Sequence, residues 1–151
     1  MPRNNSLSDG VLYRICQRGY ALDHEAALGV LFSFWATVKQ VFAGEWGLPS
    51  KKCRLLHGAG VICLGLLMDS IADRHRSKGF PTKMQLVRDL TAIVPVCRWS
   101  KGHWDFGPGQ QLKWNELQST SSSIRLLSNY LLVQYKALVW NKASTRALAV
   151  H

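Results

Sequence analysis

The sequence predicts an all-α protein: a compact bundle of about five helices around one apolar central helix, with a single aromatic loop. Three observations predict it. Apolar residues recur at spacings of three and four through most of the chain. Pro49, Pro81, Pro95 and Pro108 fall between those runs, where they end elements. The chain has 151 residues and is 47% apolar, which suits one domain with a core of its own and excludes a disordered chain.

Residues Met1–Asp9 are polar and read as a loose tail. Val11, Leu12, Ile15 and Cys16 follow helical spacing up to Gly19, with a short strand as the competing reading. Leu22–Ala43 is the first long helix. Leu28, Leu31, Phe32, Trp35, Val38 and Phe42 form its apolar stripe, and Asp23 and Glu25 suit the positive end of its dipole. It should stop at Gly44, before a loop punctuated by Gly47 and Pro49.

Ser50 is placed to cap the next helix, which runs to about Arg76. From Leu55 to Met68 it is apolar nearly all round, so it belongs at the centre of the fold. Gly58, Gly60 and Gly65 each cost about 1 kcal/mol against alanine in a helix. Three such losses imply close approach of another backbone, or an irregular turn near His57–Gly60. Gly79 reads as the residue that terminates this helix. Thr82 caps a third helix over Leu86, Val87, Leu90 and Ile93, which Pro95 ends.

Val96–Gln110 is the aromatic loop. Trp99, Trp104 and Phe106 in this glycine-rich stretch either plug the core or present flat faces to bases. Gln111–Gln118 reads as a short helix. Ser121-Ser122-Ser123 supplies a cap for the last long helix, Ile124–Trp140, with Ile124, Leu127, Leu131, Tyr135 and Leu138 on one face. Residues 141–151 read as a second loose tail. The whole of 1–151 is one domain, without internal repeats.

Charge is the strongest functional signal. The net charge is +10, distributed as 0 over residues 1–50, +7 over 51–101 and +3 over 102–151. A local excess of this kind favours a polyanionic partner, because neutralising phosphates releases counterions. Lys51, Lys52 and Arg54 precede the central helix, while Arg74, Arg76, Lys78 and Lys83 follow its end. The two groups stand about 30 Å apart along a straight helix, so they are expected as two patches. Lys51 and Lys52 at a helix N-terminus suit a phosphate. Arg98 and Lys101 beside Trp99 and Trp104 make the basic and aromatic mixture of single-strand binders.

Enzymatic chemistry has weaker support. Cys16, Cys53, Cys63 and Cys97 include no C-x-x-C pair, and no secretion signal is read. Reduced thiols and a cytoplasmic location are therefore expected. Val61–Met68, the longest apolar run, is too short to span a bilayer. His57 lies four residues from Cys53, as a base would beside a nucleophile, but no third orienting group is evident. A zinc site there needs ligands from elsewhere. Asp69 and Asp73 form an i, i+4 pair that would hold Mg²⁺ in a nuclease if Asp105 or Glu116 joined them. No phosphate-cradling glycine loop and no serine-hydrolase elbow occurs. No cofactor or catalytic residue is assigned.

Trp46-Gly47-Leu48-Pro49, Cys53-Arg54-Leu55-Leu56-His57-Gly58-Ala59-Gly60-Val61 and Leu64-Gly65-Leu66-Leu67-Met68-Asp69 resemble the C-terminal helical region of DGQHR-domain proteins. These are the DndB-like proteins associated with DNA phosphorothioate modification and similar bacterial defence loci. The loop from Cys97 through Trp99 to Trp104, and Trp114-Asn115-Glu116-Leu117-Gln118, continue the resemblance, which covers about Phe34–Tyr135. The family's naming motif, Asp-Gly-Gln-His-Arg, lies in an N-terminal ParB-like part without counterpart here, so no catalytic residue carries over. The resemblance implies a DNA-associated regulator or accessory whose partner supplies a ParB-like domain.

The expected function is thus non-enzymatic binding of nucleic acid, DNA before RNA, in a bacterial or phage defence-related system. Lys51, Lys52, Arg54, Arg74, Arg76, Lys78, Lys83, Arg98 and Lys101 would contact phosphates. The rival is a protein-interaction or homo-oligomerisation module docking on a larger complex, and a small helical subunit of an RNA-guided effector is a case of both.

Overall fold

The computed structural model describes residues 24–75 and 79–141. Arg76, Lys78, the Val11–Cys16 segment and both expected tails except Asn141 lie outside them. The described chain is mostly helical. It contains four α-helices: α1 (His24–Val41), α2 (Gly58–Arg74), α3 (Lys83–Ile93) and α4 (Ser121–Tyr135). Between α3 and α4 lies a hairpin of β1 (His103–Asp105) and β2 (Gln111–Lys113). Among the described residues no helix is long and apolar enough to cross a membrane.

α1 has Glu25 in its first turn and Lys39 in its last, as the helix dipole favours. Its buried line is Val30, Phe34, Thr37 and Val38, continued by Phe42 just past its end. That line is rotated from the expected stripe: Leu28 and Phe32 face solvent, Phe32 being 73% exposed. Thr37 can be buried because its hydroxyl donates to the Ser33 carbonyl at 2.7 Å. The chain leaves α1 through turns at Glu45 and Trp46 and reverses at Gly47, whose φ is +84°.

The second helix begins seven residues later than a cap at Ser50 predicts, with His57 in the capping position. Residues 49–53 form one isolated turn, with the Lys52 and Cys53 N–H groups donating to the Pro49 carbonyl. The chain then crosses over the start of α2. Leu55 is fully buried there, and a side chain at Gly60 would collide with the Arg54 and Leu55 carbonyls. The cap is His57, whose side chain makes no capping bond to the helix, and helical residues start at Gly58. α2 ends at Arg74 with His75 as C-cap, so Gly79, at φ +84°, is not the residue that terminates it. Nor is α2 buried all round. Cys63, Leu64, Leu67, Met68 and Ile71 face the core, while Val61, Ile62 and Leu66 are 40–47% exposed.

α3 starts as its sequence predicts. The Thr82 hydroxyl accepts from the Gln85 N–H, and the Gln85 side chain accepts from the Thr82 N–H. After Ile93, Pro95 forces a single 3₁₀ turn over Val94–Val96. α4 is capped by Thr120, whose hydroxyl accepts from the Ser123 N–H, and not by the serine run. It passes at Lys136–Trp140 into one turn of π-helix.

α2 packs along α4 and α1 along α3. α2 and α4 run parallel. Gly58 lies against Ser119, the Cys63 thiol donates to the Ile124 carbonyl at 3.4 Å, and Leu66–Ser70 face Ser128–Leu132. Their N-termini therefore share one end of the bundle.

A hairpin lies across the expected aromatic loop and the start of the short helix after it, of which one 3₁₀ turn remains at Trp114–Glu116. His103 pairs with Lys113, Trp104 with Leu112 and Asp105 with Gln111, and the turn uses Gly107 and Gly109 at positive φ. Alternation sends Trp104 inward and its neighbours outward. Trp104 meets Trp99 edge to face at 5.0 Å and Tyr130 at 5.7 Å, and Trp99 meets Phe42. Both tryptophans are buried, so they plug the core and present no face to a base.

One polar knot ties three helices together. Asp89 of α3 is fully buried. It accepts from the Tyr135 hydroxyl at 2.7 Å and from Arg74 Nη1 at 3.3 Å, and His75 Nε2 lies 3.0 Å away. A carboxylate so deep requires these partners, since an unpaired buried charge is strongly destabilising. Burial and the Asp89 carboxylate push the Tyr135 phenol upward, so it remains a donor.

Candidate nucleic-acid interface

The fold gathers basic residues from three segments at the N-terminal end of α2 and α4. The Arg54 N–H donates to the Trp99 carbonyl at 2.8 Å, and Arg54 Nη2 donates to the Asn115 carbonyl at 2.8 Å. The Trp114 N–H donates to the Gly102 carbonyl at 3.0 Å. These bonds draw the 50–54 turn, the 98–102 stretch and the start of the hairpin's second strand together. Lys51, Lys52 and Lys101 are exposed there. So are His103 and Lys113, cross-strand partners that sequence reasoning missed because it placed a loop and a helix over them.

Arg54 and Arg98 have a different role from the lysines. Arg54 Nη1 also donates to the Ser50 carbonyl, so its guanidinium clamps the turn to the hairpin. Arg98 Nη1 donates to the Pro95 and Cys97 carbonyls, and the Arg98 side chain lies across Gly102. A Cβ at Gly102 would come within 3.0 Å of Arg98 Cδ, and its φ of +80° also demands glycine. Beside them opens a cleft of about 330 Å³ lined by Glu45, Cys97, Arg98, Trp99, Ser100, Lys101 and Gly102.

The helix termini add to this charge. Neither α2 nor α4 has an acidic residue in its first turn, where carboxylates ordinarily offset the dipole. Two positive helix ends thus lie side by side, bridged by the Ser119 hydroxyl 3.2 Å from His57 Nδ1. His57 itself brings no charge at neutral pH, because burial and then the Arg54 charge lower its pKa. Asp105 and Glu116 are the exposed carboxylates on the neighbouring hairpin segment.

Of the second basic group, the described members Arg74 and Lys83 do not join the first. α2 holds the two groups about 25 Å apart, at ~1.5 Å per residue. Arg74 is committed to Asp89, and Lys83 is exposed at the start of α3. Across the described residues, exposed lysines and arginines outnumber the exposed carboxylates Glu25, Asp73, Asp105 and Glu116 by nine to four.

Cys53 and His57 face different partners. The Cys53 thiol faces Glu45 at 3.9 Å and accepts from the Leu55 N–H, while His57 faces Ser119. Burial raises the Cys53 pKa and pushes the Cys63 and Cys97 thiols up to about 12, away from thiolate character. Among the described residues, no three His, Cys, Asp or Glu side chains are grouped to hold a metal ion.

Comparison of the chain with protein-family models, with curated proteins and with solved structures finds no match.

Proposed function

We propose that this protein binds nucleic acid without catalysis, seating the phosphate backbone on the end where Lys51, Lys52, Lys101 and Lys113 surround the N-termini of α2 and α4. One observation carries the reading: two parallel helix ends, free of first-turn carboxylates, open where three basic segments converge. Phosphates suit such an end because backbone N–H groups and lysines act on the same oxygen atoms. Burial of Trp99 and Trp104 argues against base stacking, so affinity comes from charge and carries little sequence specificity. The resemblance to the helical region of DndB-like proteins supplies the proposed setting, DNA in a bacterial or phage defence-related system.

The test is binding of duplex DNA and RNA over a range of salt. Reversing Lys51, Lys52, Lys101 and Lys113 to glutamate should weaken binding and flatten the log–log salt slope by about 0.9 for each DNA phosphate that is no longer neutralised. Lys83→Glu, at the far end, should change neither. Unchanged affinity and slope in the fourfold variant would sink the proposal.

A second reading, docking on a larger protein complex, is favoured by α3. Met84, 82% exposed, and Val87 form an apolar surface edged by Lys83 and Arg88.

A further inference from the structure

Of the three glycines near or within α2, two have an internal reason. Gly60 admits the Arg54 and Leu55 carbonyls, and Gly58 admits Ser119. Gly65 has none among the described residues: a Cβ there would meet nothing within 4 Å. A glycine in mid-helix costs about 1 kcal/mol against alanine, and this fold draws no packing from it. Around it the outward face of α2 is a continuous stripe. Val61, Ile62 and Leu66 are 40%, 47% and 40% exposed, and Asp69 and Asp73 continue the stripe toward the C-terminus. Gly65 is therefore a notch in an exposed apolar ridge.

We propose that this face is a self-association surface, on which a second copy of the chain lays its own α2 antiparallel. Shape sets the register. Ile62 and Gly65 are three residues apart, so an antiparallel pair with its two-fold axis midway between them places each copy's Ile62 in the other's Gly65 notch. Val61 then meets Leu66, beside the groove of about 290 Å³ between α2 and α4. A bulky side chain over a glycine allows the close backbone approach that helix pairs favour.

Charge sets the direction. The stripe is acidic at its C-terminal end, through Asp69 and Asp73. At its N-terminal end it begins in a first turn without carboxylates, next to Lys51 and Lys52. Antiparallel pairing brings each acidic end to the positive helix terminus of the other copy, whereas parallel pairing would set acid against acid. The net charge of +10 on each copy opposes association at long range, but salt near 0.1 M screens it beyond about 10 Å. The apolar contact is modest in extent, so the pair belongs among weak, concentration-dependent dimers. The dimer and the nucleic-acid reading share the N-terminus of α2, where the other copy's Asp69 and Asp73 would compete with phosphate, and a test without nucleic acid reads self-association alone.

The test is sedimentation equilibrium of the full chain at micromolar concentrations in moderate salt, with thermal unfolding measured alongside. A monomer–dimer equilibrium is expected. Gly65→Leu fills the notch at a position open to solvent in the single chain. It should weaken the dimer about tenfold or more without lowering monomer stability, and Ile62→Lys should act in the same direction. Register is read separately by mixing Ile62→Cys and Gly65→Cys proteins under mild oxidation. Crosslinks should form between the two variants in preference to either with itself. The proposal is overturned by a monomer at every concentration, by a dimer indifferent to both substitutions, or by crosslinks only between identical variants.

Discussion

At the scale of single residues, glycines with the same intrinsic cost have opposite meanings. Gly60 is irreplaceable where the chain crosses its own helix, because the collision would be with backbone carbonyls that cannot rotate away. Gly60→Ala should lower the free energy of unfolding by about 2 kcal/mol. Gly65→Ala should raise it by about 0.5–1 kcal/mol. Urea titration of the two variants checks the sign of each change. His57 gives a pH-dependent counterpart. Burial, reinforced by the Arg54 charge, lowers its folded pKa, so the unfolded chain binds this proton more tightly than the folded one. Stability from the neutral imidazole is then complete above the unfolded value near pH 6.5 and is lost as pH falls toward the lower folded pKa. The melting temperature of His57→Gln, compared with the parent between pH 7.5 and about pH 5, should show a smaller decline. An equal decline would mean that other groups govern the acid limb.

At the scale of elements, legibility depended on whether the signal was local. Thr82 and Gln85 carry a reciprocal cap within four residues, and the start of α3 matches expectation because nothing distant is needed. Ser50 carries the same local preference, yet it caps nothing. The Gly60 contact with residues 54 and 55 delays the helix to Gly58, and that contact is tertiary. Burial facing is tertiary too. Helical spacing marked α1 as amphipathic, but only packing on α3 decides that Val30 and Phe34 go inward and that Phe32 does not. The hairpin was hidden because its strands are three residues each, too short for alternation to stand out from a loop, although the Gly107-Pro108-Gly109 turn was a usable signal. For the candidate site, Lys51, Lys52 and Lys101 were visible as charge, but their meeting with Lys113 depends on hydrogen bonds at Arg54 and Trp114. These differences are measurable in the caps: Thr82→Ala should cost about 1 kcal/mol, and Ser50→Ala less than about 0.5 kcal/mol. Equal losses in chemical denaturation would restore Ser50 as a cap.

At the scale of the whole molecule, the charge excess acts at the surface. The one fully buried carboxylate among the described residues, Asp89, binds Arg74 inside the fold, and the remaining exposed cations repel one another across the described surface. Two electrostatic effects on stability should therefore separate. Simple salt screens the general repulsion, so the melting temperature should rise from low to moderate NaCl whichever lysines are present. A polyanion that binds only the folded chain adds stabilisation by mass action, RT ln(1 + [L]/Kd), about 2.7 kcal/mol at a hundredfold excess over Kd. This second effect belongs to a site and not to net charge alone. Duplex DNA should raise the melting temperature of the parent protein beyond the effect of NaCl at equal ionic strength. The variant with Lys51, Lys52, Lys101 and Lys113 reversed should keep an NaCl response, smaller because its net charge is lower, and lose the DNA increment. A control reversing Lys83, Arg88 and Lys136 lowers the net charge by six instead of eight and does so away from the convergent end, and it should retain most of that increment. If the two variants lose it equally, the protein responds to polyanions through its overall field, and the end formed by α2, α4 and the hairpin has no special part in binding.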